Sequence, residues 1–169
     1  MLIFIDTEFT GLGQPDPKLI SLALVPADGR NEFYAEIEIG DGWTFFDCCE
    51  FVRKEVLPLM KGGECLVTRA ELRERLVAWF ATLPRSVQVA CDSEIDFRFL
   101  KQVLADCWPA NLDRKLFDLR GMIDTGVFDK AAQDDYAPDR PAHNALNDAR
   151  ANRRGWLAYA DAHKAGAGK

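Results

Sequence analysis

The sequence lacks the segments that direct a protein into or across a membrane. No apolar run approaches the roughly 20 residues of a transmembrane helix. The opening residues MLIFIDTEF have no basic region and reach an acid at position 6, unlike a signal peptide. We therefore expect a cytoplasmic protein with no membrane partner.

Zinc-binding cysteine pairs and an excess of basic charge are also absent. The five cysteines include no C-x-x-C pair and no nearby histidine, which argues against zinc and against a disulfide framework. We expect them to act as small buried hydrophobic residues. A net charge of −6 excludes a protein that coats duplex DNA through a basic surface. It does not exclude a nuclease, because an enzyme that holds a few terminal nucleotides needs few phosphate contacts, and bound metal ions neutralise an acidic site.

The chain has the length and composition of one globular domain. It has 169 residues, of which 48% are hydrophobic and 28% charged, and no linker or repeat divides it. We expect a single domain over residues 1–164 and a flexible tail over 165–169.

Hydrophobic patterns and turn signals predict alternating strands and helices. Helix starts are indicated by Asp47 as an N-cap and by a capping box of Thr68 and Glu71. The order of the elements predicts an α/β fold with a mixed central β-sheet flanked by α-helices. The expected strands are 2–6, 18–30, 32–39, 86–91 and 115–119, the expected helices are 47–60, 68–84, 95–108 and 143–164, and 120–142 is expected to be irregular.

Two acids, Asp6 and Glu8, follow directly on an apolar run that is typical of a buried strand. Side chains at i and i+2 of a strand point the same way, so both carboxylates can face one spot. An unpaired buried carboxylate costs several kcal/mol. Either a cation lies beside this pair, or the strand ends at Asp6 and both acids are solvated.

Further candidate residues lie near the starts of two predicted helices. Asp96 follows a strand and enters a helix, where it is either a metal ligand or only a helix-start acid. Asp148 lies on the packed side of the last helix, where a carboxylate usually has a partner. His143 precedes that helix in a polar stretch, and an imidazole there can titrate near neutral pH or serve a structural role.

Acids from the first strand, the middle of the chain and the last helix, with one histidine, match the needs of a two-metal phosphoryl-transfer site. Mg²⁺ and Mn²⁺ prefer carboxylate and water oxygens. Two such ions about 3.5–4 Å apart stabilise the attacking and leaving oxygens of a phosphodiester. A nearby histidine can accept the proton of the attacking water.

Three stretches resemble the motifs of the DEDDh branch of the DnaQ-like 3′–5′ exonucleases. FIDTEFTGL fits D-x-E-x-T-G-L, DSEIDFRFL fits the second motif, and HNALNDA fits H-x-A-x-x-D-A, in this order along the chain. Two positions depart from the family: Asp92 stands where many members have Asn, and Ile95 replaces a Phe. The short length and the VRKEVLP segment are most similar to the small bacterial 3′–5′ exoribonucleases.

The resemblance implies an RNase H-like fold and a role for each motif residue. It implies a 3′–5′ exoribonuclease that degrades single-stranded RNA to nucleoside 5′-monophosphates with two Mg²⁺ ions, for which Mn²⁺ can substitute. It also implies a homodimer, since relatives are often dimeric. The implied catalytic residues are His143, Asp6, Glu8, Asp96 and Asp148, of which the four acids bind metal, and the implied substrate-binding residues are Phe9, Thr10, Gly11 and Leu12.

Several alternatives stay open on the sequence. The same chemistry on DNA, as in proofreading or repair, is a close second hypothesis, because no residue identifies a contact to a 2′-hydroxyl group. A non-catalytic adaptor would be expected to lose an acid or the histidine, and a phosphatase would need different downstream residues. Leu12 is either a wedge against a base or ordinary packing. Arg150, Arg153 and Arg154 are expected on a solvated helix face, with a substrate phosphate or a partner subunit as the other options.

Overall fold

The protein, described here by a computed structural model over residues 1–166, is built around one mixed β-sheet. The sheet has six strands in the order β4-β3-β2-β1-β5-β6. The strands are β1 (Leu2–Phe9), β2 (Leu19–Pro26), β3 (Phe33–Ile37), β4 (Leu66–Val67), β5 (Gln88–Cys91) and β6 (Phe117–Asp118). The helices are α1 (Arg69–Ala81), α2 (Glu94–Leu104), α3 (Val127–Gln133) and α4 (Ala145–Gly166).

The strand β1 occupies an interior place where the direction of the sheet changes. It pairs antiparallel with β2 and parallel with β5. The β2–β3 pair is antiparallel, and the β5–β6 pair is parallel. The carboxyl ends of β1, β5 and β6 therefore lie at the same edge of the sheet.

Helix α4 covers one face of the sheet. On this face the rings of Phe4 and Trp156 have centroids 5.6 Å apart, and Ala23 and Val25 pack against Leu146. The strand residues among them, Phe4 of β1 and Ala23 and Val25 of β2, share this face because side chains alternate between the two faces of a strand.

Helices α1 and α2 cover the opposite face. Ile5 of β1 and Leu24 of β2 join Leu72 and Leu76 of α1 and Leu100 of α2 in the largest hydrophobic cluster. All five are fully buried. The predicted α/β class, with a mixed sheet between helices, is confirmed.

The capping box predicted at the start of α1 is present. The Glu71 backbone N–H donates to Thr68 Oγ1 over 3.2 Å, and the Thr68 N–H donates to Glu71 Oε2 over 2.8 Å. These reciprocal bonds satisfy two backbone donors at the helix end, as the sequence pattern indicates.

The single helix predicted over 47–60 is wrong at its start. Asp47 does not cap a helix there. It ends a 3₁₀ turn, Phe45–Asp47, and its carboxylate accepts hydrogen bonds from the backbone N–H and the hydroxyl of Thr44, over 2.6 and 2.7 Å. The capping residue is Thr44, three positions earlier than the expected one.

The remainder of that segment is helical but irregular in pitch. A π-helical turn, Val52–Val56, is followed by a 3₁₀ turn, Leu57–Leu59. Pro58 has no N–H to donate, so a regular α-helix cannot continue through it.

The stretch 120–142, expected to be irregular, contains the short helix α3. Its Phe128 is buried against α4 at Gly155, where an added Cβ would lie 2.8 Å from the Phe128 ring. This close approach requires glycine and holds a helix that its own seven residues could not stabilise in isolation.

Two arginines of α4 do not lie on a solvated face, which corrects that expectation. Arg150 forms a salt bridge with Glu32 at 2.5 Å, and Arg153 Nε donates to the Ala27 carbonyl oxygen over 3.0 Å. Only Arg154 of the three is exposed. Arg150 and Arg153 thus tie α4 to the turn between β2 and β3.

All five cysteines are free thiols. Cys48 and Cys91 are buried as expected, and Cys49 and Cys65 are partly buried. Cys107 is exposed, so the expectation of burial is wrong there. Helix α4 continues to Gly166, past the domain boundary expected at residue 164, and positions 167–169 of the predicted tail lie outside the described residues. No helix within residues 1–166 combines the length and the apolar character needed to cross a lipid bilayer.

Candidate active site

The predicted acids meet at the sheet edge where β1 and β5 both end. Asp6 and Glu8 lie on β1 and share the face of Phe4, the face that α4 covers. Asp148 approaches from the first turn of α4. Asp96 lies in the first turn of α2, which follows the carboxyl end of β5.

Five carboxylates form two overlapping groups of three. In one, single oxygens of Asp6, Glu8 and Asp148 all lie within 4.8 Å of one another. In the other, oxygens of Asp6, Asp92 and Asp96 have the same spacing. Asp6 belongs to both groups, so that two cations bound here would share it.

Asp96 is held by Thr7, the residue between the two acids of β1. The Thr7 hydroxyl donates to Asp96 Oδ1 over 2.6 Å, and the Thr7 backbone N–H donates to the same oxygen over 3.2 Å. Asp96 is 3% exposed. Both hydrogen bonds end on Oδ1, which leaves Oδ2 available to a cation.

Asp148 is held by groups from the preceding loop. The Tyr136 hydroxyl donates to Asp148 Oδ1 over 2.8 Å, and the backbone N–H of His143 donates to Oδ2 over 3.0 Å. His143 has a φ of 66°, a left-handed conformation that is uncommon for a residue with a side chain. The strained backbone conformation of His143 occurs where its N–H group points to the Asp148 carboxylate, and strain of this kind is common at functional sites.

The imidazole of His143 is exposed beside the acids and is contacted by an aromatic ring. Phe51 meets it edge to face, with ring centroids 4.9 Å apart. Asn144, the next residue, is buried, and its side-chain amide donates to the Tyr34 hydroxyl over 3.2 Å. The imidazole is therefore accessible while the chain on its C-terminal side is fixed.

The Tyr34 hydroxyl is one end of a buried polar network. It donates to Glu36 Oε1 over 2.6 Å. Glu36 is 0% exposed and also accepts the backbone N–H groups of Lys61 and Gly62, over 2.6 and 2.8 Å. This carboxylate links β3 to the segment after the 3₁₀ turn and, through Tyr34, to Asn144.

Without a cation, the four predicted metal ligands resist ionisation. Burial, followed by the charges of Asp96 and Asp148, raises the pKa of Asp6 well above its usual range. Burial and the charges of Asp148 and Asp96 raise the pKa of Glu8 to about 8. Burial also raises the pKa of Asp96 to about 7, against the opposing hydrogen bond from Thr7. The pKa of Asp148 is raised by burial too, although hydrogen bonds from Tyr136 and His143 oppose the shift.

The chemistry of this donor set fits divalent metal ions. No salt bridge found within residues 1–164 involves any of the five carboxylates, so lysine and arginine do not neutralise them there. The donors are all carboxylate oxygens, the hard ligands that Mg²⁺ and Mn²⁺ prefer. Cations in both groups would offset the burial and the mutual repulsion that raise the pKa values.

An open pocket of about 450 Å³ lies against the acids, and most of its other lining residues are apolar. Leu12 projects into solvent with 84% of its surface exposed, which contradicts ordinary packing, one of the two alternatives for this residue. Phe51 lines the same pocket, and half of its surface is exposed to solvent. Phe9 also lines the pocket, and its ring lies 5.6 Å from that of Phe99.

Two predicted substrate-binding residues shape the loop after β1. Thr10 is fully buried and does not line the pocket. Its hydroxyl donates to Gln14 Oε1 over 2.6 Å and accepts the Lys18 N–H over 2.9 Å. Gly11 lines the pocket with a φ of 150°, and an added Cβ would lie 2.9 Å from Cys49 Sγ. The close approach of Cys49 thus requires glycine at this wall.

Two solved structures resemble the chain over most of its length. Pop2p of S. pombe, in a form with Mg²⁺ and Mn²⁺ bound, has a TM-score of 0.60 and 17% sequence identity, covering 92% of this chain and 81% of that one. A moderately thermophilic Exonuclease I from Methylocaldum szegediense has a TM-score of 0.53 and 18% identity, covering 94% of this chain. This chain spans only 39% of the length of that exonuclease.

The predicted RNase H-like fold is confirmed. No protein-family profile matches the chain, and no curated protein matches it. At the low identities of the two structural neighbours, the likeness is one of fold. The narrower resemblance to small bacterial exoribonucleases stays a prediction.

Three residues of the site were not among those predicted from the sequence. Asp92 joins the second carboxylate group, Tyr136 donates to Asp148, and Phe51 contacts His143. Asp92 carried a signal, because it departs from the family pattern beside a motif residue. Nothing local to the sequence indicates the other two, whose contacts depend on how loops fold back onto the sheet edge.

Proposed function

We propose that the protein is a divalent-metal-dependent 3′–5′ exonuclease that degrades single-stranded RNA from its 3′ end to nucleoside 5′-monophosphates. The observation that carries this proposal is the pair of carboxylate groups that share Asp6, with exposed His143 beside Asp148. The fold likeness to an exonuclease and to a protein with Mg²⁺ and Mn²⁺ bound supports it. The direction of cleavage and the preference for RNA rest on the resemblance of the sequence motifs.

The acids divide between two metal positions. Asp6, Glu8 and Asp148 would hold one Mg²⁺, and Asp6 and Asp96 would hold the second, with Mn²⁺ as a substitute. Two divalent ions in this place supply the positive charge that stabilises the attacking and leaving oxygens of a phosphodiester.

His143 is the general base in this proposal. Its imidazole accepts a proton from the attacking water, whose oxygen bonds to phosphorus as the bond to the 3′ oxygen of the preceding nucleotide breaks. That 3′ oxygen takes a proton from solvent, and the terminal nucleotide leaves with its phosphate at the 5′ position. Edge-to-face contact with Phe51 limits the orientations that the imidazole can adopt.

The apolar walls of the pocket suit the base of a terminal nucleotide. Leu12 and Phe51 are exposed at its rim, and Phe9 lies deeper. Apolar and aromatic surfaces hold nucleobases with little sequence preference, since every base has an apolar face. The backbone at Gly11 borders the pocket closely enough to contact the same nucleotide, whereas Thr10 acts from behind by holding the loop.

Time-resolved gel analysis of 5′-labelled single strands tests the function. RNA and DNA of the same sequence are compared with Mg²⁺, with Mn²⁺ and with EDTA. We expect a ladder that shortens by single nucleotides from the 3′ end, requires metal, and advances faster on RNA. An oligonucleotide blocked at its 3′ end is the matched control and should stay intact.

Other results favour other functions. Faster cleavage of DNA would indicate an exodeoxyribonuclease of the proofreading or repair type. Activity on a small phosphate monoester alone would indicate a phosphatase. Absence of cleavage with either metal would overturn the exonuclease proposal and favour a non-catalytic adaptor that keeps the fold.

Homodimerisation in the cytoplasm is part of the same proposal and follows from the resemblance to dimeric relatives. Light scattering coupled to size exclusion measures the mass in solution. A mass of twice the 19.0 kDa chain is expected, and a mass equal to one chain would contradict it.

A further inference from the structure

We propose that Asp92 is a metal ligand, so that the ion beside Asp96 is held by three carboxylates of this chain: Asp6, Asp92 and Asp96. This inference rests on the proposed function, which assigns only Asp6 and Asp96 to that position. It adds a fifth anionic ligand to the site.

The topology of the sheet places Asp92 at the metal position. Asp92 directly follows Cys91, the last residue of β5, and β5 runs parallel to β1. Both strands therefore deliver their acids to the same edge. Oxygens of Asp6, Asp92 and Asp96 lie within 4.8 Å of one another, a spacing at which a single ion can contact all three.

The capping role that an acid often has before a helix is filled by another residue. The N-cap of α2 is Ser93, whose hydroxyl accepts the backbone N–H of Ile95 at 3.4 Å. Asp92 lies one residue outside that cap, and among residues 1–164 it has no salt-bridge partner. It lines the same pocket as the other acids.

The carboxylate of Asp96 has one oxygen free to bind the ion that Asp92 would share with it. Thr7 donates both of its hydrogen bonds to Oδ1 of Asp96, and Oδ2 remains for the cation. Without metal, the negative charge of Asp92 repels those of Asp6 and Asp96, because oxygens of the three carboxylates lie within 4.8 Å of one another.

Removing the charge of Asp92 should therefore have opposite effects on the two states of the protein. The metal-free fold becomes more stable, because one repulsive carboxylate is gone. The metal-bound fold gains less from its ions, because an anionic ligand is lost. A residue with only a structural role would not produce this reversal.

Calorimetric titration of the full chain with Mn²⁺ tests the inference, with unfolding in EDTA as the second readout. Loss of an outer-shell partner alone costs about 10-fold to 100-fold in metal affinity. We therefore expect Asp92→Asn to weaken one of two Mn²⁺ ions by at least about tenfold and to raise Tm in EDTA. Asp92→Ala, which leaves no oxygen donor, should weaken the same ion further.

Asp106→Asn is the matched control. Asp106 is exposed beyond the far end of α2, so the same change of charge there should alter neither Mn²⁺ affinity nor Tm in EDTA. If Asp92→Asn and Asp92→Ala both bind the two ions with wild-type affinity, Asp92 is not a metal ligand, and the proposed function is unaffected. A wild-type protein that binds no Mn²⁺ and degrades no oligonucleotide would overturn the proposed function together with this inference.

Discussion

The hydroxyl of Tyr136 donates a 2.8 Å hydrogen bond to Oδ1 of Asp148. Burial, together with the charge of Asp148, raises the pKa of Tyr136, so the phenol keeps its proton and acts as the donor. The loop before α4 thus supplies a group that orients one of the proposed metal ligands. In metal sites, partners of this kind fix the position of the ligand, and losing one typically costs about 10-fold to 100-fold in metal affinity or activity.

Tyr136→Phe should weaken metal binding at the position that includes Asp148 and lower kcat by about tenfold. The ring is retained, so the packing of the loop should change little. Tyr159→Phe makes the same substitution on α4, far along the helix from Asp148, and should behave as wild type. Mn²⁺ titration and initial rates on single-stranded RNA measure both effects, and equal affinities in the two variants would contradict the role of Tyr136.

His143→Ala should abolish hydrolysis while metal binding persists. Loss of a general base typically costs 10²–10⁴-fold in rate, and the N–H group that holds Asp148 belongs to the backbone and is kept. The control is His163→Ala, which removes the other histidine from the last part of α4. A variant at position 143 that retains wild-type kcat with unchanged Mn²⁺ affinity would exclude the imidazole as the base.

The metal-free protein should lose stability as pH rises. Folding raises the pKa of Glu8 from its ordinary value of 4.5 to about 8, and that of Asp96 from 3.8 to about 7, mainly through burial. Between about pH 4 and pH 8 the folded state therefore binds more protons than the unfolded state, and the free energy of unfolding falls with pH. Below that range both states are protonated and the penalty vanishes.

Thermal unfolding in EDTA, measured from about pH 5 to pH 8.5, shows this slope directly. We expect Tm to fall by several degrees in EDTA and to change much less with saturating Mg²⁺. Asp6→Asn removes the carboxylate common to both groups, so it should raise Tm in EDTA at pH 8 and abolish cleavage. A lower Tm in that variant without metal would contradict the account of repulsion.

Glu36→Gln should destabilise the fold. Glu36 is buried and accepts two backbone N–H groups and the Tyr34 hydroxyl, whereas an amide presents donors where acceptors are needed. A mismatch of this kind costs about 1–3 kcal/mol in the free energy of unfolding. Urea denaturation measures it, with Glu38→Gln on the exposed neighbour as the control. Equal stability in the two variants would show that the network contributes nothing.

The parts of the fold that could be predicted are those that local pattern determines. The apolar run of β1 predicts a buried strand, and the capping box at Thr68 predicts the start of α1, because both patterns involve residues close in sequence. The helix α3 could not be predicted, since it depends on the contact between Phe128 and Gly155. The composition of 47–60, helical apart from Pro58, predicts a plain helix, and nothing in it indicates the π-helical and 3₁₀ turns of the structure.

The residues of the site likewise divide into those that the sequence motifs predict and those that depend on the tertiary structure. Motif spacing brought Asp6, Glu8 and Asp148 into one hypothesis, and the structure brings their oxygens together. Tyr136 and Phe51 could not be found, because their contacts join residues that no spacing rule connects. The participation of Asp92 depends on the parallel pairing of β1 with β5, a feature of topology that a single sequence does not display.

The separation of the acids along the chain has a consequence for synthesis. Asp6 and Glu8 leave the ribosome early, whereas Asp148 and His143 arrive with α4, near the end of the described chain. At roughly 5–20 residues per second, synthesis of Asp148 follows that of Glu8 by on the order of ten seconds. The carboxylate group of Asp6, Glu8 and Asp148 therefore cannot assemble on a growing polypeptide until α4 has been synthesised and has docked.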